Sequence, residues 1–211
     1  MKVQMFTVGI LFTNTYVVSC EQTKETILID PAFGDKREVE KIFNFLEKNA
    51  LELKFILNTH GHPDHTCGNK IVKEKFRVPI LIHEQDAYML GKPQKKVFEF
   101  VNFRDASPCA DTLLHHGDLV NFGRTTLKVM HTPGHTLGSI SLLGDKEVFT
   151  GDTLFSGSIG RTDFPESSEN SMKSSLRKLK NLPDNFKVYP GHGPTTTIGE
   201  EKRNNPFLQS L

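Results

Sequence analysis

Thr59-His60-Gly61-His62-Pro63-Asp64-His65 is the stretch on which the reading of this chain turns. It follows the apolar run 53–57 (LKFIL), which reads as a buried strand, and precedes a helical pattern over 69–76. In an extended loop alternate side chains face the same way, so His60, His62 and Asp64 can point to one region. His65, one step on, reaches a neighbouring point as the chain turns towards the helix. Three imidazoles and a carboxylate within six residues need a cation to share. Otherwise they repel one another and stay in water.

The same setting recurs three more times. Val129-Met130-His131-Thr132-Pro133-Gly134-His135, Val148-Phe149-Thr150-Gly151-Asp152 and Val188-Tyr189-Pro190-Gly191-His192 each run from a strand end through a glycine to a metal-ligand type. Glycine lets the backbone turn sharply or approach closely at such points. Loops at the ends of a rigid sheet hold ligands in register. Seven ligands exceed one tetrahedral zinc and suit two ions sharing a carboxylate. The expected division is His60, His62 and His135 on one ion, Asp64, His65 and His192 on the other, and Asp152 between them. Nitrogen and oxygen donors fit zinc, with iron or manganese as alternatives. Two such ions about 3.5–4 Å apart hold a bridging hydroxide as nucleophile at neutral pH.

The surrounding chain alternates strands and helices. Residues 3–8 and 16–19 read as a hairpin, and 26–30 (TILID) as a strand stopped by Pro31. Helical spacing of Val39, Ile42, Phe43 and Leu46 marks residues 35–49. A strand follows at 79–82, then an irregular stretch over 91–112 with the apolar cluster Val97, Phe98, Phe100, Val101 and Phe103, a candidate lid, substrate wall or packing element. Further strands are expected at 125–130, 139–143, 147–150 and 187–189, with a helix over 170–179. Thr197-Ile198-Gly199-Glu200 has capping-box spacing, and Pro206 is expected to close a last short helix. Strand runs flanked by helices suggest packed sheets with helices outside.

Composition narrows the function classes. The 211 residues carry 26 basic and 25 acidic side chains, a net charge of +1 that gives no support to a nucleic-acid or anionic-membrane partner. No run of about 20 apolar residues is present for a membrane span. Val17-Val18-Ser19-Cys20 imitates a lipoprotein box, but Thr7, Thr13, Asn14 and Thr15 break the apolar stretch before it. Three cysteines without a CxxC pair make no disulfide framework, and a cytoplasmic, reduced protein is expected. There are nine histidines. Of the four outside the ligand set, His83 and His131 read as structural and His115 and His116 as solvated. Cys67 reads as a small buried residue beside the helix.

With these motifs the chain resembles the metallo-β-lactamase superfamily along essentially its whole length. The resemblance implies a four-layer αββα sandwich of mixed α/β class, a single domain over 1–211, with the dinuclear site at one sheet edge. HxHxDH without a ligand cysteine is similar to the glyoxalase II (hydroxyacylglutathione hydrolase) branch. That branch implies hydrolysis of a small-molecule thioester such as S-lactoylglutathione, with Asp64 both ligand and orienter of the nucleophile. It also implies that Arg161, nine places after the bridging Asp152, contacts the glutathione carboxylate. Asp163 stands where glyoxalase II has an aromatic residue, so Arg161 and Asp163 form a loop ion pair in the alternative reading. The nineteen residues after His192 leave no room for the helical glutathione-binding domain of that branch. Gly160-Arg161-Thr162-Asp163-Phe164 also resembles the persulfide dioxygenases. These imply one iron held by His60, His135 and Asp152.

Overall fold

Strand alternation here runs two ways through every central strand. Tyr16, Val18, Ile27, Ile29 and Leu57 are buried in one apolar cluster, while their neighbours Val17, Leu28 and Ile56 are buried in another. A strand apolar on both faces must be covered on both faces. The structure, a computed structural model describing residues 1–33, 35–92 and 106–211, satisfies that demand with four layers.

The first sheet holds β1 (Lys2–Val8), β2 (Thr13–Ser19), β3 (Glu25–Ile29), β4 (Glu52–Leu57), β5 (Ile80–His83) and β6 (Thr112–Leu114), in that order. β1 to β3 are antiparallel neighbours, and β3 to β6 run parallel. The second contains β7 (Leu119–Phe122), β8 (Thr125–His131), β9 (Ile140–Leu143), β10 (Glu147–Gly151), β13 (Lys187–Pro190) and β14 (Thr196–Thr197). The short pair β11 (Leu154–Phe155) and β12 (Ser158–Ile159) lies between β10 and β13 in the chain.

The inner faces meet in one cluster, in which Tyr16, Ile27, Ile29 and Leu57 pack with Phe122, Leu127, Val129, Leu142 and Phe149. Outside the first sheet lie α1 (Lys36–Lys48) and, beyond the short turn α2 (Pro63–Thr66), α3 (Asn69–Phe76). Ile42, Leu46 and Val72 of this layer cover Leu28, Ile56 and Ile80. Outside the second sheet, α4 (Glu169–Lys180), α5 (Ile198–Asn204) and α6 (Pro206–Gln209) bring Met172, Leu176, Leu179, Ile198 and Leu208 onto Val148 and Val188. Each such aliphatic side chain contributes about 1.5–3 kcal/mol by leaving water.

Local signals explain the boundaries. Asp35 caps α1 by accepting from the Arg37 and Glu38 N–H groups, and Ser168 caps α4 through the Ser171 N–H. Thr197 Oγ1 accepts from the Glu200 N–H at 3.1 Å, the forward half of a capping box. The stretch imitating an export signal is the β1–β2 hairpin, paired from Val8↔Thr13 to Lys2↔Ser19. Among the described residues no helix is long and apolar enough to cross a membrane.

Three expectations need correction. Thr112, placed in the irregular stretch, begins β6, and β7 was not expected at all; both are short strands, β6 added at the edge of its sheet, with a weak alternating pattern. Pro206 opens α6 at its first turn rather than closing α5, because a proline there gives up an N–H that needs no helical partner. The apolar cluster from Val97 to Phe103 lies outside the described residues.

The four remaining histidines gather where the two sheets meet. His83, at the end of β5, stacks on His131, at the end of β8, with ring centroids 4.1 Å apart and an interplanar angle of 12°. His115 lies 3.3 Å from Glu84 and 3.5 Å from Asp118, and His116 Nδ1 accepts from the His131 N–H. Burial, reinforced by the facing His131, pushes the His83 imidazole down to about 4. A depressed histidine favours the neutral folded form, so its contribution is complete above the unfolded value near 6.5 and is lost as pH falls towards 4. His83→Asn keeps an acceptor for the Gln85 N–H without the titration. Between pH 6.5 and 4 its thermal midpoint is expected to fall less than that of the parent, by several degrees; parallel curves would refute the assignment.

Candidate metal centre

β8, β10 and β13 point the same way, because β8 and β10 are each antiparallel to β9 and β10 is parallel to β13. Their C-terminal loops therefore deliver His135, Asp152 and His192 to one end of the sandwich. β4 delivers the 59–65 loop to the same end. Gly151 has φ +48, and a Cβ there would lie 2.5 Å from Thr59 Oγ1. A Cβ on Gly191 would collide with Asp152 Oδ1. Glycine at these two positions is what lets three ligand loops touch.

All seven expected residues come together. The donor atoms of His60, His62 and His135 lie within 4.8 Å of one another, as do those of Asp64, His65 and His192, and those of His60, His65 and Asp152. His62 Nδ1 is 3.1 Å from His60 Nε2 and 2.8 Å from His135 Nε2. His65 Nε2 is 3.2 Å from His192 Nε2. Asp152 spans the groups, with Oδ1 3.3 Å from His65 Nε2 and Oδ2 3.4 Å from His135 Nε2.

One detail of the loop reading changes. Extended alternation does not continue past His62, because Pro63 starts the helical turn α2. His60 and His62 therefore share one group, and Asp64 swings round to join His65 in the other.

The donor set fits divalent metal. Metal–nitrogen bonds of about 2.0–2.1 Å in tetrahedral array separate their donors by about 3.3 Å, close to the spacing here. Asp152 Oδ1 is buried with no hydrogen-bond partner, an acceptor left for a cation. The outer nitrogens are all engaged: His60 with Thr59 Oγ1, His65 with Asp30, His135 with the Arg161 carbonyl, His192 with the Leu11 carbonyl and His62 with Glu166. Such partners fix tautomer and ring orientation, so that the inner nitrogen presents a lone pair.

Electrostatics divide the imidazoles. Burial, with the neighbouring His65, holds His60 well below its ordinary range, and burial lowers His135. Burial alone would depress His65 too, but the carboxylates of Asp152, Asp64 and Asp30 outweigh it and hold His65 high. Asp152 is held well below the carboxylate range, its burial overcome by His65 and His192.

Three supporting carboxylates were not singled out in the sequence. Asp30 follows β3 with φ +49 and accepts from the Thr59 N–H, the Thr59 hydroxyl and His65. Asp86, fully buried, accepts from the Gly61 and Gly138 N–H groups and the Thr136 hydroxyl, tying the His60–His62 loop to the His135 loop. Glu166 Oε1 lies 3.1 Å from His62 Nε2. Only the acid directly after a strand, Asp30, carried a local signal. Cys67, half-buried, points its thiol at the Phe33 carbonyl, and burial pushes it up to about 12, which leaves it inert. Arg161 lies beside the His135 ligand loop but closes on Asp163.

Glu166→Gln keeps the shape but not the charge behind His62. Competition with a chelator is expected to show about tenfold weaker metal retention. An unchanged affinity would mean that Glu166 does not support His62.

Residues 8–192 match the model of the metallo-β-lactamase superfamily. The chain belongs to that superfamily. It is 36% identical over 226 residues to an uncharacterized protein of Mycobacterium tuberculosis, covering 100% of this chain and 99% of the relative. It is 36% identical over 200 residues to hydroxyacylglutathione hydrolase GloC of Haemophilus influenzae, covering 90% of each. Among solved structures it resembles the BLEG-1 B3 metallo-β-lactamase (TM-score 0.89, 34% identity, 98% of this chain and 99% of that one). It also resembles TTHA1623 in a di-iron-bound form (0.87, 33%, 98% and 100%). ETHE1 from Myxococcus xanthus is similar as well (0.80, 31%, 98% and 84%). The expected fold is thus the observed one. A metal-dependent hydrolase with divalent-metal-binding His and Asp groups follows from the family and the site.

Proposed function

We propose that this protein hydrolyses a thioester, such as S-lactoylglutathione, with two divalent ions, zinc foremost and iron or manganese as alternatives. The observation that carries the proposal is the second donor group, Asp64, His65 and His192, converging beside the first. A single ion would leave these three donors, the buried Asp64 and His65 and the half-buried His192, without a purpose. Similarity to GloC supports the thioester class.

In this reading His60, His62 and His135 hold one ion, and Asp64, His65 and His192 hold the other. Asp152 would be shared between them. When bound, the ions supply a water-derived nucleophile at neutral pH and Lewis-acid stabilisation of the carbonyl oxygen. Thr13 Oγ1 donates to Asp64 Oδ2 at 3.3 Å and fixes the orientation of that carboxylate, which both ligates and aligns. A thiol with a pKa near 8.5 leaves as the anion, so no separate general acid is needed.

Protein purified without added metal is expected to carry about two divalent ions per chain. It should lose S-lactoylglutathione hydrolysis on chelation and regain it with metal. Asp64→Ala is expected to lower kcat/KM by about a hundredfold or more, and full activity in that variant would sink the two-metal mechanism. One iron per chain, with oxygen consumed on a persulfide, would favour the dioxygenase that the Gly160–Phe164 string resembles.

A further inference from the structure

The loop that follows β12 forms the rim beside His62 and His135. The Arg161 carbonyl accepts from His135 Nδ1, and the Phe164 ring faces His62 and His135 at 5.4 and 5.9 Å. On this rim the Arg161 guanidinium gives Nε to Asp163 Oδ1 and Nη2 to Asp163 Oδ2, both at 2.8 Å. Its carbon lies 4.4 Å from the Phe164 ring centroid, so stacking holds the fork in place. The side chains of Arg161 and Asp163 are 64% and 66% exposed, so the fold does not require them to be paired by burial. Glu166, further along the same loop, is engaged instead with His62, 3.1 Å from its Nε2.

An arginine fork is the natural receptor for a substrate carboxylate. Here that place is already taken by a carboxylate of the same chain. An incoming carboxylate would have to break two charge-assisted hydrogen bonds and then sit beside the Asp163 carboxylate.

We propose that Asp163 is a specificity determinant: it occupies the Arg161 fork and turns the site away from thioesters whose thiol half ends in a carboxylate, towards those whose thiol half is uncharged. The inference rests on the thioester reading for its ligand class. It narrows that class by disfavouring, without excluding, the charged end that glutathione would present to Arg161, so S-lactoylglutathione is a substrate but not the preferred one. An exposed ion pair is a small barrier, and the repulsion adds to it. Together they set a discrimination of about five- to tenfold.

The test is a binding measurement, independent of turnover. Dissociation constants of S-methylglutathione and its dimethyl ester are compared by calorimetry on the metal-loaded parent, Asp163→Ala and Asp163→Ala/Arg161→Gln. Asp163→Ala is expected to shift the preference about five- to tenfold towards the free acid, and the double variant to lose the shift. An acid-to-ester preference unchanged or lowered in Asp163→Ala overturns the proposal, as does a gain that survives without Arg161. Neither ligand carries a thioester, and recovery of the intact dimethyl ester after each titration checks that its esters survive. Failure of the hydrolase reading would appear instead as absent turnover of every thioester, whatever the binding result.

Discussion

Asp152→Ala is expected to lower metal content at both donor groups and to reduce kcat/KM at least about a thousandfold, some 4 kcal/mol of transition-state stabilisation. Its Oδ1 lies 3.3 Å from His65, and its Oδ2 3.4 Å from His135 and 3.5 Å from His192, so this one carboxylate touches both donor groups. Each ion would lose a ligand, and the charge that draws two dications into one pocket would fall by one. Asp152 belongs to none of the three apolar clusters. Far-ultraviolet circular dichroism should therefore remain that of the parent. Metal analysis beside steady-state kinetics decides the matter: two ions per chain and activity within tenfold of the parent would remove Asp152 from the bridging role.

Asp30→Ala is expected to give the largest loss of stability. The carboxylate is 1% exposed and accepts from the Thr59 N–H at 2.7 Å, the Thr59 hydroxyl at 2.6 Å and His65 Nδ1 at 2.9 Å. Removing it strands three buried donors, at a cost of about 3–5 kcal/mol. For a chain of this size that lowers the thermal midpoint by roughly 6–20 °C. His65 also loses the partner that fixes its ring, so metal affinity should fall about ten- to a hundredfold. Asp30→Asn, which keeps an acceptor oxygen, should recover part of the stability. A midpoint within about 2 °C of the parent in Asp30→Ala would show that water replaces the carboxylate and that the network contributes little.

The ligand set was legible because its signal is local. Three of its four segments pair a strand end with a ligand placed directly after a glycine, and that pairing survives in one dimension. The hairpin, α1, α3 and most central strands were legible for a similar reason, since their periodicity is set by faces that must be buried. β6 and β7 were not, being short strands whose places are assigned by their neighbours rather than by their own residues. The break in alternation at Pro63 was legible in principle, proline being favoured at the first turn of a helix. It sets Asp64 beside His65 and His192, where the expected division had it, rather than on the face shared by His60 and His62.

Residue types and spacing alone marked five histidines and two aspartates as candidate ligands for divalent metal, and strand runs flanked by helices as packed sheets with helices outside. Only the tertiary structure decided which carboxylates stand behind those ligands. Asp30, Asp86 and Glu166 lie 25 to 104 residues from the groups they hold. Only the tertiary structure, too, closed the Arg161 fork on Asp163 rather than leaving it open. The physical reason is that a ligand's identity follows from its own chemistry, whereas its orientation follows from hydrogen bonds across sheets, whose partners no local pattern records.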